Sequence, residues 1–257
     1  MKILLTNDDG YDSPAIAALI EELHSIATLY LATPEQQQSG TGHSITVFDP
    51  IKFRPRQREH VEAAWSMYGT PVDCVKIALT ALLPVKVDLV VSGINIGANL
   101  GNDVLYSGTV SAAAEAVVLG VPALAASLNT FDRNADFSYA AYITRKMVEW
   151  MQENRMSADM LFNMNIPAIA ADQICGVQMA RLGKRNYNNT FEERRDPRGN
   201  SYFWLGGRVI EVDAEPGTDI HSVKNGYITL TPIQLDLTNY VLMDALQPTF
   251  HLDEKRK

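Results

Sequence analysis

Lys2-Ile3-Leu4-Leu5-Thr6-Asn7-Asp8-Asp9-Gly10-Tyr11-Asp12-Ser13-Pro14 decides the fold. A short apolar run ends in a polar turn, and a helix start follows at once. Ser13 is suited to cap a helix, and Pro14 suits its first position, where the missing N–H costs nothing. Ile16, Leu19, Ile20, Leu23 and Ala27 then recur at helical spacing, and Thr28–Ala32 is apolar again. Strand, helix, strand within about thirty residues predicts a parallel sheet with helices on its faces.

Downstream segments repeat the alternation. Thr33–Ser44 reads as a loop, and Ile45–Phe53 and Trp65–Tyr68 as strands. Thr70-Pro71-Val72-Asp73 forms a capping box that predicts a helix to about Leu82. Asp88–Ser92 is a buried strand, a glycine-rich loop follows, and a helix is expected from about Thr109 to Leu119. Ala123–Ser127, a helix over about Asp136–Asn154, and Leu161–Ile166 complete the series. After about residue 170 the helical period is lost. Asn186–Asn200 is polar, Tyr202–Trp204 and Val209–Val212 look like paired strands, and Gly226–Thr231 is another strand. Nothing in the chain obviously partners the segment from Leu235 onward. The expected architecture is α/β, with a Rossmann-like three-layer αβα core and parallel sheet over residues 1–170. A β-rich arm and tail over 171–257 would pack on another subunit.

Composition narrows the function. The 257 residues carry a formal net charge of −8, which opposes duplex nucleic acid as a partner. An acidic chain acting on an anionic substrate needs local positive charge, and a bound metal supplies it. Cys74 and Cys175 are too few for a disulfide framework and read as small hydrophobes. The first apolar run is cut short by Asn7-Asp8-Asp9, unlike a signal peptide, and no stretch is long enough to span a membrane. The expected setting is cytoplasmic.

In an open parallel sheet, ligands bind outside the carboxyl ends of the strands. Four polar segments fall there. Asn7-Asp8-Asp9-Gly10 puts two repelling carboxylates side by side, which a divalent cation would relieve; the bland alternative is an Asx turn. Gln38-Ser39-Gly40-Thr41-Gly42-His43-Ser44 lacks the third glycine of a dinucleotide fingerprint. It is either a flexible loop or a source of hydroxyl and backbone contacts. Ser92-Gly93-Ile94-Asn95-Ile96-Gly97-Ala98-Asn99-Leu100-Gly101-Asn102-Asp103 has too many glycines and asparagines for a helix, and Asn95 offers an amide oxygen to a hard cation. Tyr106-Ser107-Gly108-Thr109 precedes an alanine-rich helix. Its hydroxyls either cap the helix or help its N–H groups hold phosphate.

Other engines are missing. There is no G-x-x-x-x-G-K-[ST] and no H-E-x-x-H, and Gly42-His43-Ser44-Ile45-Thr46 misses the G-x-S-x-G elbow at its last position. His24 falls in a helical pattern and reads as structural. His43 lies in a candidate loop, either solvated or assisting proton transfer. Paired carboxylates, an amide and a phosphate cradle point to metal-assisted phosphoester hydrolysis. An aspartyl-phosphate route through Asp8 would want a second acid two positions on, where Gly10 stands. A non-catalytic nucleotide sensor is the alternative from another class.

Taken in order, Thr6-Asn7-Asp8-Asp9-Gly10, Gln38-Ser39-Gly40, Gly69-Thr70-Pro71-Val72-Asp73, Ser92 to Gly101 and Asp103-Val104-Leu105-Tyr106-Ser107-Gly108-Thr109 resemble the SurE family of nucleotidases. Asp196-Pro197-Arg198-Gly199-Asn200, Gly217-Thr218-Asp219 and Gly226-Tyr227-Ile228-Thr229 extend the resemblance over nearly the whole chain. The resemblance implies 5′- and 3′-nucleotidase activity on nucleoside monophosphates, with polyphosphate as a further substrate. It implies one Mg²⁺ or Mn²⁺ per subunit held by Asp8, Asp9, Ser39 and Asn95, with Asp8, Asp9 and Asn95 catalytic. Phosphate would lie against Ser107, Gly108, Thr109 and Asn99. It also implies a homodimer or homotetramer that exchanges C-terminal segments. Three departures stand out. Ala15 and Ala116 replace usual glycines, and Pro34-Glu35-Gln36-Gln37-Gln38 lacks a basic residue often found there. With Asp12 and Glu35 added, the site region should be more acidic.

Overall fold

The computed structural model describes residues 1–155, 157–188, 190–206 and 209–247. Its frame is a mostly parallel sheet between two helical layers. Strands β1 (Lys2–Thr6), β2 (Thr28–Pro34), β3 (Phe53–Arg56), β4 (Val61–Met67), β5 (Leu89–Ile96), β6 (Ala123–Asn129), β7 (Leu161–Pro167) and β8 (Gly176–Met179) belong to it. Strands β9 (Lys184–Tyr187), β10 (Thr190–Arg195), β11 (Ser201–Gly206) and β12 (Val209–Asp213) form the arm, and β13 (Tyr227–Ile233) returns to the sheet. The order is β3-β4-β2-β1-β5-β6-β7-β13-β8, with β3 and β13 antiparallel to β4 and β7.

Period-two alternation explains the layers. Ile3 and Leu5 face one side of β1 and join α1 (Pro14–Leu23) and α4 (Ser138–Glu153) through Ile16, Leu19 and Val148. Leu4 faces the other side, toward α2 (Pro71–Ile77) and α3 (Gly108–Val118), with Val75, Ala112 and Ala116. The Thr70–Asp73 capping box forms as expected. Asp73 accepts the Thr70 N–H at 2.9 Å, and Thr70 Oγ1 accepts the Asp73 N–H at 3.1 Å. A π-helical turn extends α2 to Leu82. Ser13 holds the capping position of α1, but its side chain makes no capping bond.

Several boundaries move. Residues 45–52 form no strand, because Phe53–Arg56 takes the free edge of β4, where Pro55 is tolerated. The strand expected at Trp65–Tyr68 begins at Val61, and the one ending at Ser92 runs on to Ile96. Tyr202–Trp204 does not pair with Val209–Val212. Asp196 accepts the N–H groups of Arg198 and Asn200, closing a turn that folds β11 back on β10. β12 pairs with β9 instead. A short helix, α5 (Asp219–Lys224), which the sequence pattern did not suggest, is capped by Thr218. From Leu235 the chain leads to α6 (Tyr240–Leu246), which leaves Tyr240, Val241, Leu242 and Met243 largely exposed. Residues 248–257 of the expected tail lie outside the described residues.

Strand order reverses between β1 and β5. Successive strands run one way through β2 and β4, and the other way through β5, β6 and β7. The crevice at such a reversal is where an open α/β sheet holds its ligand.

Candidate active site

Asp8 and Asp9 stand at the carboxyl end of β1, on this crevice. Asn7 shapes the turn by accepting the Gly10 N–H at 3.2 Å and donating to the Gly10 carbonyl at 3.0 Å. Gly10 has φ 98°, a value a side chain would resist. Asp8 points inward and is 3% exposed. Burial pushes its pKa up to about 6, against the pull of the Thr109 hydroxyl, which donates to Asp8 Oδ1 at 2.6 Å. Burial also raises Asp9. The Ile96 N–H, which donates to Asp9 Oδ2 at 3.2 Å, and the Arg133 charge oppose that rise.

The Asp9–Ile96 contact bridges the crevice from β1 to β5 and brings Asn95 alongside. Asn95 Nδ2 donates to the Gly97 carbonyl at 2.7 Å, which fixes the amide plane. Gln37 ties in Ser39: its Nε2 donates to Asp9 Oδ1 at 3.3 Å and to Ser39 Oγ at 2.9 Å. Two carboxylates, a hydroxyl and an amide, from Asp8, Asp9, Ser39 and Asn95, thus stand on the strand ends and loops at this crevice. All are hard oxygen donors, the chemistry of Mg²⁺ or Mn²⁺ rather than of a thiolate-seeking metal. A buried carboxyl that resists ionising beside a second carboxylate is also what a cation relieves. These residues fit a divalent cation.

The start of α3 lies directly against Asp8. A Cβ on Gly108 would stand 2.9 Å from Asp8 Cβ and 3.2 Å from Pro71 Cγ, so only glycine lets the helix come this close. Ser107 caps the helix, accepting the Val110 N–H at 3.1 Å. The capping role expected of this segment is thus present. Asn99 is buried beside the β6 end, with Nδ2 donating to Ser127 Oγ at 2.8 Å and its carbonyl accepting from Asn163 and Asn165. Its amide nitrogen seats the loop.

This chain matches the family described as Survival protein SurE over residues 3–189. The chain belongs to the SurE family. A relative from Syntrophomonas wolfei named 5′-nucleotidase SurE is 53% identical, the match covering 97% of this chain and 95% of the relative. One of the same name from Heliobacterium modesticaldum is 45% identical, covering 96% and 90%. The crystal structure of the SurE protein from Aquifex aeolicus superposes with a TM-score of 0.82 at 38% identity, covering 96% of this chain and 99% of that one.

Sequence reasoning missed two residues that stand beside Asp9 in this SurE chain. Gln37 links Asp9 to Ser39, and Arg133 donates to the Gln37 Oε1. Arg133 sits in the loop after β6, another carboxyl end of a parallel strand, and that placement was the available signal. It brings a cation to a region whose Pro34–Gln38 loop has none. The added acids are also answered: Glu35 pairs with Arg54 at 3.3 Å and Arg56 at 3.7 Å, and Arg56 reaches Asp12 at 3.9 Å. Asp9, Gly10, Tyr11, Glu35, Gln37 and Arg133 line a cleft of about 220 Å³ at this point. His43 does not stand free in its loop. It bonds Glu115 at 2.9 Å, and Lys76 meets the same buried carboxylate at 2.7 Å.

Proposed function

We propose that this SurE protein hydrolyses nucleoside 5′- and 3′-monophosphates to nucleoside and phosphate, with polyphosphate as a further substrate. One Mg²⁺ or Mn²⁺ per subunit would be held by Asp8, Asp9, Ser39 and Asn95. The observation that carries this reading is the pair of neighbouring carboxylates at the strand reversal, one of them buried beneath a helix start. A cation held there would supply Lewis-acid polarisation of a phosphoryl oxygen and a more acidic water.

The chain's own groups do the rest. Thr109 keeps Asp8 at one angle through its 2.6 Å bond. The Ile96 N–H and Gln37 do the same for Asp9. The N–H groups at Gly108 and Thr109, with the Ser107 hydroxyl, face phosphate and stabilise charge that grows on its oxygens. Asn99 is assigned to the same phosphate cradle; in this structure its Nδ2 donates to Ser127 Oγ and seats the loop. Arg133 adds a positive charge at the mouth of the cleft.

We further assign residues 1–170 to the catalytic core and 171–257 to an arm and tail exchanged within a homodimer or homotetramer. The reading places the enzyme in the cytoplasm; among the described residues no helix is long and apolar enough to cross a membrane. Phosphate release from a panel of 5′- and 3′-mononucleotides, in Mn²⁺, Mg²⁺ or EDTA, tests the activity. Metal-dependent release is expected, and Asp9→Asn should remove most of it. Full turnover in EDTA, or in that variant, would defeat the assignment.

A further inference from the structure

The opposite rim of the sheet carries a second group of metal-ligand side chains. α1 leaves the carboxyl end of β1 and finishes at the amino end of β2, so its last turn stands on the rim away from Asp8. Glu21 and His24 lie three residues apart there, on one helical face. The turn before β4 delivers His60 to the same place; its φ of 62° is one of the few positive values among non-glycine residues. The imidazoles of His24 and His60 lie face to face, 4.0 Å between centroids and 14° from parallel. One ligand atom from each of Glu21, His24 and His60 falls within 4.8 Å of the others. Among the described residues this is the one such trio of histidine, cysteine or acidic side chains.

We propose that Glu21, His24 and His60 form a binding site for a borderline transition cation, Zn²⁺ in the first instance, separate from the hard-cation site at Asp8 and Asp9. Two imidazoles and a carboxylate are a zinc ligand set, whereas Mg²⁺ seeks oxygens. Donor atoms around a tetrahedral zinc stand about 3.4 Å apart, given bonds of about 2.0–2.1 Å. For the trio to reach that spacing the two rings would splay from their stack. Glu21 and His60 are exposed, so ordinary rotamer changes accomplish it. Water completes the shell.

Local charge favours a cation here. The site sits at the carboxyl end of a ten-residue helix, the negative end of its dipole. Glu59 Oε1 lies 3.7 Å from His60 Nε2, adding a carboxylate at the edge. A bound ion would join the end of α1 to the β3–β4 turn. That turn and the end of β3 already reach the catalytic side: Arg56 and Arg58 lie over the Tyr11 ring at 4.2 and 5.4 Å, and Arg58 donates to the Tyr11 carbonyl. The ion would therefore brace the turn that holds Tyr11, two residues after Asp9.

Calorimetric titration of the full chain with Zn²⁺, in excess Mg²⁺ to fill the acidic site, tests this. Wild type should bind one more Zn²⁺ than His24→Gln or His60→Gln, or bind it at least about tenfold more tightly, since loss of even an outer-shell partner costs that much. Zinc should also move the ring-nitrogen NMR signals of His24 and His60. Both histidines stand apart from the catalytic cleft, so Mg²⁺-supported phosphate release should persist in both variants. Equal stoichiometry and affinity in wild type and variants would overturn the proposal, as would His24 and His60 signals that zinc leaves in place. Neither readout requires nucleotidase activity, so failure here and failure of the catalytic assignment are told apart.

Discussion

Asp8 holds a negative charge where a carboxyl group resists ionising. Its pKa rises from 3.8 to about 6, chiefly through burial. In the metal-free protein the folded state therefore holds this proton more tightly than the unfolded chain does. The resulting stability is fully present below pH 3.8 and is lost as pH rises through about 6. Two pKa units correspond to on the order of 3 kcal/mol. Asp8→Asn removes the ionising group while its amide oxygen still accepts from Thr109. In EDTA at pH 8 the variant should thus be more stable than wild type by on the order of 3 kcal/mol, with the gain vanishing near pH 4. Denaturant unfolding across that range measures it, and an unchanged or lower stability at pH 8 would refute the account. The pairing Asp8-Asp9 was legible in the sequence because adjacent like charges at a strand end call for an explanation. Gln37 and Arg133 were not, because an amide and a guanidinium in loops carry no pattern until the fold sets them beside Asp9.

At the scale of elements, the approach of α3 to β1 sets the site. Alanine favours helix over glycine by about 1 kcal/mol, so Gly108→Ala would ordinarily stabilise α3. Here the new methyl meets Asp8 Cβ at 2.9 Å, Asp8 Oδ2 at 3.0 Å and Pro71 Cγ at 3.2 Å. Asp8 is pinned by Thr109, so the helix start must move or the carboxylate must turn. Gly108→Ala should lower stability by about 1–3 kcal/mol, the usual range for overpacking. Phosphate release should fall at least about tenfold, since displacements of an ångström cost that much or more. Thermal unfolding and steady-state kinetics on one preparation check both. Capping signals made this helix and α2 legible, since Thr70 and Asp73 satisfy backbone groups within four residues of each other. Strand partners were harder. Ile45 and Val47 alternate as a strand would, but the β4 edge belongs to Phe53–Arg56 and Phe48 stays 98% exposed. In the arm, nearness in sequence suggested pairing Tyr202–Trp204 with Val209–Val212. The decisive signal was the turn chemistry of Asp196-Pro197-Arg198-Gly199-Asn200, which sends β11 back along β10.

The whole molecule shows a contrast between an anchored base and an uncovered end. Asp219, wholly buried, accepts the N–H groups of Gly101 at 2.7 Å and Gly183 at 2.8 Å, locking the arm's root to the loop after β5. Asp103 takes Tyr187 at 2.6 Å and Arg185 at 3.2 Å; burial, then this bond, pushes the Tyr187 hydroxyl up to about 12. Beyond that root, register places Phe191 opposite Leu205, with Phe203 two residues further along β11, on one face of the hairpin. Phe191, Phe203 and Leu205 are each more than three-fifths exposed, and Phe191 and Phe203 meet edge to face. An exposed apolar strip of this kind is a candidate for contact with another chain. The proposed exchange of arm and tail between subunits would supply such a cover. Phe203→Lys with Leu205→Lys leaves the hairpin's backbone pairing intact but puts two charges on the strip. Sedimentation velocity should show the double variant one assembly step smaller than wild type, with the circular dichroism of the core unchanged. A wild type that sediments as a monomer, or a variant that keeps the wild-type size, would show that the strip does not join subunits. Retention of phosphate release by the smaller species would further show that Asp8 and Asp9, in the turn after β1, and Asn95, on β5, need no partner to form their site.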